Sequence, residues 1–352
     1  MRRKDIIDPI SMAIFNTDSV PARDVAAAGG DGIAALAQSV ALVQQQCEAI
    51  LQQLTAMRTE LSELSVREKE LRAVLERNTE LDFRVDRLRK TLRKTTMNDR
   101  LIEAIEGAAL HLEPCPYTVI DELLPTVFYE ALIRGIPPVA LFEHKPTGKQ
   151  HLDVPFALAP TYSQLVWRLM ASELVPKVIA PTLVKKFRPH IDEWIARNWP
   201  DLKPESVELH GSGGRIMFRR RGYRILPHRD PKWSFITCIL YLARPEDNEA
   251  WGTQLYAVDD DQEAKNAAPH WIDQDKCRLA RDVEFRPNRL LVFLNSVGAH
   301  GAYIPPDAQP ENLERYIYQF RVGPTIEAIG RLRAMLPEER QSLWTGKTLV
   351  DY

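Results

Sequence analysis

The chain contains three His-x-Asp tripeptides: His151-Leu152-Asp153, His190-Ile191-Asp192 and His228-Arg229-Asp230. On a β-strand, residues i and i+2 leave the same face, so an imidazole and a carboxylate at that spacing can grip one ion together. A second imidazole from a neighbouring strand completes the two-histidine, one-carboxylate facial set that suits non-heme Fe(II) and keeps coordination positions open. The tripeptide is common, and the element that carries it decides its meaning. His151 falls in a proline-flanked stretch that reads as loop. His190 falls in Phe187–Asn198, which reads as the start of a helix, where i and i+2 point apart. Only His228-Arg229-Asp230 lies between strand-like runs, Gly222–Leu226 before it and Phe235–Leu242 after it. The first two tripeptides are therefore expected to be structural.

The elements around this third tripeptide follow in a definite order. Trp251–Tyr256 reads as a strand entered through a glycine turn. Arg289–Leu294 is a buried-type strand that leads to Asn295, Ser296 and His300, and Arg315–Phe320 is a strand opening on an arginine. Upstream, Pro116–Ile120 reads as a short strand and Leu123–Ile133 as a helix. Residues 160–198 are helical by periodicity, with interruptions near Pro176, Pro181 and Pro189. Helices followed by short strands suggest an α+β domain on an antiparallel sandwich or barrel.

As a set, these segments resemble the prolyl-4-hydroxylase-like branch of the Fe(II)/2-oxoglutarate-dependent oxygenases over roughly residues 114–323. The likeness is carried by Gly222-Tyr223 to Asp230, Thr237–Leu242, Arg289–Phe293 to His300, and Arg315-Tyr316, with Pro116–Pro125 at the start. The resemblance implies a double-stranded β-helix (a jelly-roll, cupin-like barrel) with His228, Asp230 and His300 binding Fe(II). It also implies that Arg315 holds the distal carboxylate of 2-oxoglutarate through its guanidinium fork, and that Tyr241 donates a hydrogen bond to the same group. The implied reaction is hydroxylation of a small molecule or a protein side chain, with O2 as cosubstrate, succinate and CO2 as products, and ascorbate as accessory reductant. Two departures stand out. The interval from His300 to Arg315 is long and contains Pro305, Pro306 and Pro310, and Arg321 on the same strand face is a second candidate for the carboxylate. Phe218 stands where some relatives have a tyrosine facing the cosubstrate, and a phenyl ring cannot donate.

Arg219, Arg220, Arg221, Arg224 and Arg229 cluster around the first ligand. They would favour an anionic substrate if they faced the site, and would merely solvate the outer sheet if they did not. Trp233 and Phe235 could line a pocket or fill the core. The acidic stretch 258–282, with Asp259, Asp260 and Asp261, reads as an irregular loop or lid. His111, His144, His210 and His270 have no partner at ligand spacing.

Ahead of this domain the pattern differs. Apolar residues at Leu36, Val40, Val43, Cys47, Ile50, Leu54, Met57, Leu61 and Leu64 alternate steps of four and three, the seam of a coiled coil. The seam runs on through Leu71 and Leu75, then slips phase before Leu81, Val85, Leu88 and Leu92, and Glu68, Asn78 and Arg89 fall at or near its core positions. The expected organisation is a loose tail (1–32), a coiled-coil helix (33–107), the oxygenase domain (108–326) and a C-terminal helix and tail (327–352). Self-association through 33–94 is expected, against the alternative of a helix folded back on its own domain. The basic cluster Arg84 to Lys94 lacks interleaved aromatics and reads as a solvated face.

With 352 residues and a net charge of −2, the chain has ample length for a core and no global reason to bind nucleic acid. Four scattered cysteines argue for a reducing compartment and against a zinc ribbon. No apolar run is long enough to span a bilayer. The expectation is a cytoplasmic enzyme with neither a nucleic-acid nor a membrane partner. The alternative is a coiled-coil scaffold whose barrel is degenerate or senses iron.

Overall fold

The computed structural model describes residues 31–92, 96–142, 149–151, 159–231, 233–261 and 270–341. Two units divide the chain, the first ending at Val66 and the second running from Arg67.

The first unit, as described, is part of helix α1 (Asp31–Leu92), which has 62 residues and would measure about 90 Å. Its apolar seam is bare in the single chain: Leu36, Val40, Val43, Ile50, Leu54, Met57, Leu61, Leu64 and Leu71 are all exposed. The side chains of the basic cluster at 84–94, and nearly all of the expected tail at 1–32, lie outside the described residues. No described helix is long and apolar enough to cross a membrane.

The second unit begins, after the end of α1, with α2 (Thr96–Gly107), whose Met97, Leu101 and Ile105 are buried at helical spacing. Short strands β1 (Leu110–His111) and β2 (Tyr117–Ile120) follow, then α3 (Thr126–Arg134) and β3 (Lys149–His151). His151 thus ends an edge strand paired with Met217 instead of lying in a loop, while Leu152 and Asp153 are outside the described residues. Next come α4 (Thr161–Leu169), a wider π-helical stretch (Met170–Ile179) and α5 (Ala180–Asn198). Pro176 sits in the π-helical stretch, where its missing N–H and its ring prevent ordinary helical bonding. His190 and Asp192 lie on α5, so this pair diverges as expected.

Strands β4 (Leu209–Gly211), β5 (Arg215–Arg219), β6 (Arg224–Arg229), β7 (Ile236–Tyr241) and β8 (Thr253–Val258) follow. After them come β9 (His270–Trp271), β10 (Cys277–Val283), β11 (Leu290–Leu294), β12 (Ala299–Tyr303) and β13 (Arg315–Pro324). Helices α6 (Ile326–Ala334) and α7 (Glu338–Gln341) are the last described elements. The acidic stretch 258–282 is thus not wholly irregular: β10 returns antiparallel to β8, and residues 262–269 are outside the described set.

All pairing is antiparallel. The larger sheet runs β1-β2-β11-β7-β13-β5-β3, with β4 also on β13, and the smaller runs β10-β8-β12-β6-β9. Period-two alternation sorts the larger sheet's side chains onto two faces. Leu240, Val292, Tyr316, Tyr318 and Phe320 join the helices in one core. Met217, Ile239, Tyr241, Leu291, Phe293 and Ile317 face the other way and meet Leu255 and Val283 of the smaller sheet in a second core. The result is an α+β domain with helices on one face of the larger sheet and the second sheet on the other.

Candidate metal centre

The second core turns polar at one end. There β12 pairs with β6 so that His300 stands directly opposite His228, and Asp230 follows the end of β6. Atoms from the three side chains that could ligate a metal all lie within 4.8 Å of one another, and all three residues are buried. The imidazole centroids of His228 and His300 are 4.2 Å apart.

Surrounding bonds fix the state of each group. His228 Nδ1 lies 2.8 Å from the Leu226 carbonyl, which can only accept, so Nδ1 donates there and Nε2 is the ring atom left to face a metal. Burial, with the nearby His228, lowers His300 to about 3 against the raising effect of Asp230, which leaves its imidazole neutral. For Asp230, burial raises the pKa. The Arg321 guanidinium, the two histidines and the Thr237 hydroxyl outweigh it and hold the carboxyl well below the usual range. Thr237 Oγ1 donates to Asp230 Oδ2 at 2.5 Å and accepts from Asn295 Nδ2 at 2.7 Å. Arg321 Nη2 donates to Oδ1 at 2.9 Å, and Gln319 Nε2 lies 3.5 Å from Oδ2. The carboxylate is thus ionised and held on both oxygens.

Arg315 occupies the far end of the same face of β13. It is 2% exposed, and among the described residues no carboxylate pairs with it. Its Nη2 donates to the Gly252 carbonyl at 3.2 Å, its Nε has no partner among the described residues, and its charge lies 4.8 Å from the Phe285 ring centroid and 5.7 Å from that of Tyr241. Gly252 is a close-approach position, where any Cβ would overlap the Val283 carbonyl. Burial lowers Arg315 to about 10, so it stays charged at neutral pH. Tyr241 is fully buried, its hydroxyl 3.5 Å from the Val283 carbonyl. Burial pushes its phenol up to about 12 against the Arg315 charge, so it remains a donor.

Several sequence candidates lie elsewhere. Phe218 belongs to the helix-facing core, packed on Phe142 and stacked on Tyr316, because its neighbours Met217 and Arg219 take the inner positions of β5. Of the arginine cluster, Arg221 pairs with Glu311 at the surface and Arg224 donates to Gln274. Arg219 is buried opposite Arg315, and Arg229 is buried against Asp261. Phe235 fills the core against Trp194, whereas Trp233 lies under the Arg321 guanidinium. His111 stacks on Tyr117 outside the site, and His210 is exposed. The second candidate for the distal carboxylate, Arg321, is committed to Asp230. Sequence reading missed the roles of Thr237, Asn295 and Gln319. The available signal was period two, which puts Thr237 on the face of Tyr241, and Gln319 on that of Arg315.

No protein-family model matches the chain, and no curated protein matches it. Among solved structures it is similar to a prolyl hydroxylase from Trichoplax adhaerens in complex with a hypoxia inducible factor oxygen degradation domain peptide fragment, at 14% identity and TM-score 0.35, covering 68% of this chain and 94% of that one. It is similar to a Pseudomonas putida prolyl-4-hydroxylase at 13% identity and TM-score 0.34, covering 64% and 99%. HygX from Streptomyces hygroscopicus, with nickel, 2-oxoglutarate and hygromycin B bound, matches at 12% identity and TM-score 0.35, covering 60% and 83%.

Proposed function

We propose that this chain is an Fe(II)- and 2-oxoglutarate-dependent dioxygenase on a double-stranded β-helix, hydroxylating a small molecule or a protein side chain. The balanced reaction is substrate–H, 2-oxoglutarate and O2 to substrate–OH, succinate and CO2. One observation carries this reading: the space between the sheets holds both a buried two-histidine, one-carboxylate cluster and a buried guanidinium that no described carboxylate neutralises. Two imidazoles and one permanently ionised carboxylate fit a divalent first-row metal and leave room for a chelating ligand. A buried, unpaired guanidinium calls for an anion, and a dicarboxylic keto acid supplies one at the far end of its chain.

Fe(II), when bound, would supply the oxygen chemistry and the oxidative decarboxylation. In this reading His228 offers Nε2, His300 a neutral imidazole and Asp230 a fixed negative charge. Arg315 holds the distal carboxylate and Tyr241 donates to it. The apolar wall of Ile239, Leu291, Phe293 and Ile317 keeps bulk water away. The test is succinate formation from 2-oxoglutarate under air with Fe(II) and ascorbate, comparing the native chain with His228→Ala. Turnover lost in the variant supports the reading. Silence in both is resolved by anaerobic binding of Fe(II) and 2-oxoglutarate, whose absence hands the case to a scaffold with a degenerate barrel.

The proposal extends to self-association through 33–94. Besides Cys47, nine apolar seam residues of α1 are exposed between Leu36 and Leu71, and covering each would contribute roughly 1 kcal/mol, a strong drive towards a second copy. Sedimentation should report a dimer or trimer, and Leu54→Glu with Leu61→Glu should give a monomer. Cys47, on the same seam and exposed, should crosslink a parallel, in-register pair on oxidation.

A further inference from the structure

The two arms of the metal cluster come from different strands, and the ladder between those strands is irregular where the ligands sit. His300 pairs with His228, but the next pair is Ala302 with Ile225, so β6 carries an extra residue there. The ladder thus fixes one pair at the ligands, next to its bulge, and leaves Asp230, beyond the end of β6, to bonds outside the ladder.

Arg229 separates His228 from Asp230, and the two-residue period turns it away from the ligands. It is 6% exposed. Its Nε donates to the Gly298 carbonyl at 2.7 Å, and its Nη2 donates to Asp261 Oδ1. The other oxygen of Asp261 accepts from the Gly298 N–H at 2.8 Å. Gly298 stands two residues before His300 with φ +70, and a Cβ there would come within 3.0 Å of the Tyr256 carbonyl, so the turn needs glycine. One carboxylate therefore closes a ring that joins the His228–Asp230 arm, through Arg229, to the His300 arm, through Gly298.

We propose that Asp261 is a positioning residue for the metal centre, a latch that holds the ligands of β6 and β12 at binding distance through Arg229 and Gly298. Asp261 touches no ligand itself and acts only through these two partners. The inference rests on the metal reading above. Groups that hydrogen-bond a metal ligand directly typically contribute roughly 10- to 100-fold to metal affinity, and Asp261, one contact further out, is expected at the lower end of that range.

The test is anaerobic titration of the full chain with Co(II), followed by its d–d absorption, for the native protein, Asp261→Ala and Asp261→Asn. Circular dichroism and metal-free thermal unfolding run alongside. The expected result for Asp261→Ala is a Co(II) Kd weaker by roughly 10-fold, with an altered absorption envelope. Asp261→Asn, which keeps an acceptor for one of its two donors, should fall between. A native Kd and spectrum in folded Asp261→Ala would overturn the inference, as would a lower unfolding temperature with Co(II) binding untouched, which marks a purely structural bond. Should Asp261→Ala not fold, Asp261→Asn decides by the same criteria. Absence of Co(II) binding by the native chain would instead bring down the metal reading, and the latch with it.

Discussion

Arg315 and Arg321 stand on the same face of β13, six residues apart, with exposures of 2% and 6%, and among the described residues only Arg321 of the two has a carboxylate against it. At its end, Asp230 takes the guanidinium on one oxygen and the Thr237 hydroxyl on the other, so the charges compensate within the protein. At the Arg315 end the charge rests on a backbone carbonyl and two aromatic rings, with no carboxylate against it among the described residues. The same residue therefore completes a site at one end and leaves it incomplete at the other. A buried charge that the fold does not neutralise costs stability, and a fold keeps it where a ligand later offsets that cost.

Arg315→Met should break the contrast most visibly. With no carboxylate to strand, the metal-free protein should be as stable as the native chain or more so, while 2-oxoglutarate affinity falls by roughly 100-fold or more. Calorimetry with the metal-loaded protein under nitrogen checks the second half, and urea unfolding checks the first. The same change at the other end should act in reverse. Arg321→Met leaves Asp230 buried without its cation and should cost about 3 kcal/mol in urea unfolding of the metal-free protein.

Falling pH probes the metal end through His300. His300 has a folded pKa of about 3 against an ordinary value of 6.5, so below 6.5 the unfolded chain takes up a proton that the folded one refuses. Its contribution is present above pH 6.5 and lost as pH falls towards 3, so the unfolding temperature should drop between pH 7 and 5. His300→Gln should flatten that slope, and an unchanged slope would refute the assignment. The smallest effect belongs to Tyr241→Phe, which removes one neutral donor beside Arg315. A loss of about 1 kcal/mol, or several-fold in 2-oxoglutarate affinity, is expected by calorimetry.

Much of this was legible before any coordinates. The runs around His228, Arg289–Leu294 and Arg315–Phe320 became β6, β11 and β13, because alternating or continuously apolar β-branched and aromatic stretches have few other ways to be buried. The heptad seam likewise became a continuous helix to Leu92. Strand β10 was hidden: its residues Arg278, Leu279, Ala280 and Arg281 are all exposed at a sheet edge, so no apolar pattern marks it. Phe218 was misread because a one-residue shift of register turns a side chain to the opposite face.

The sequence alone determined which residues could hold a metal, since the i, i+2 spacing on a strand brings His228 and Asp230 together without help from distant contacts. It determined also that α1 carries an apolar seam. Tertiary structure decided everything that depends on partners far along the chain. It set Arg321 and not Arg315 against Asp230, put Thr237 and Asn295 behind the carboxylate, and brought Asp261 to Arg229 and Gly298. Local spacing orients a side chain; only the packing of two sheets determines which charge it meets.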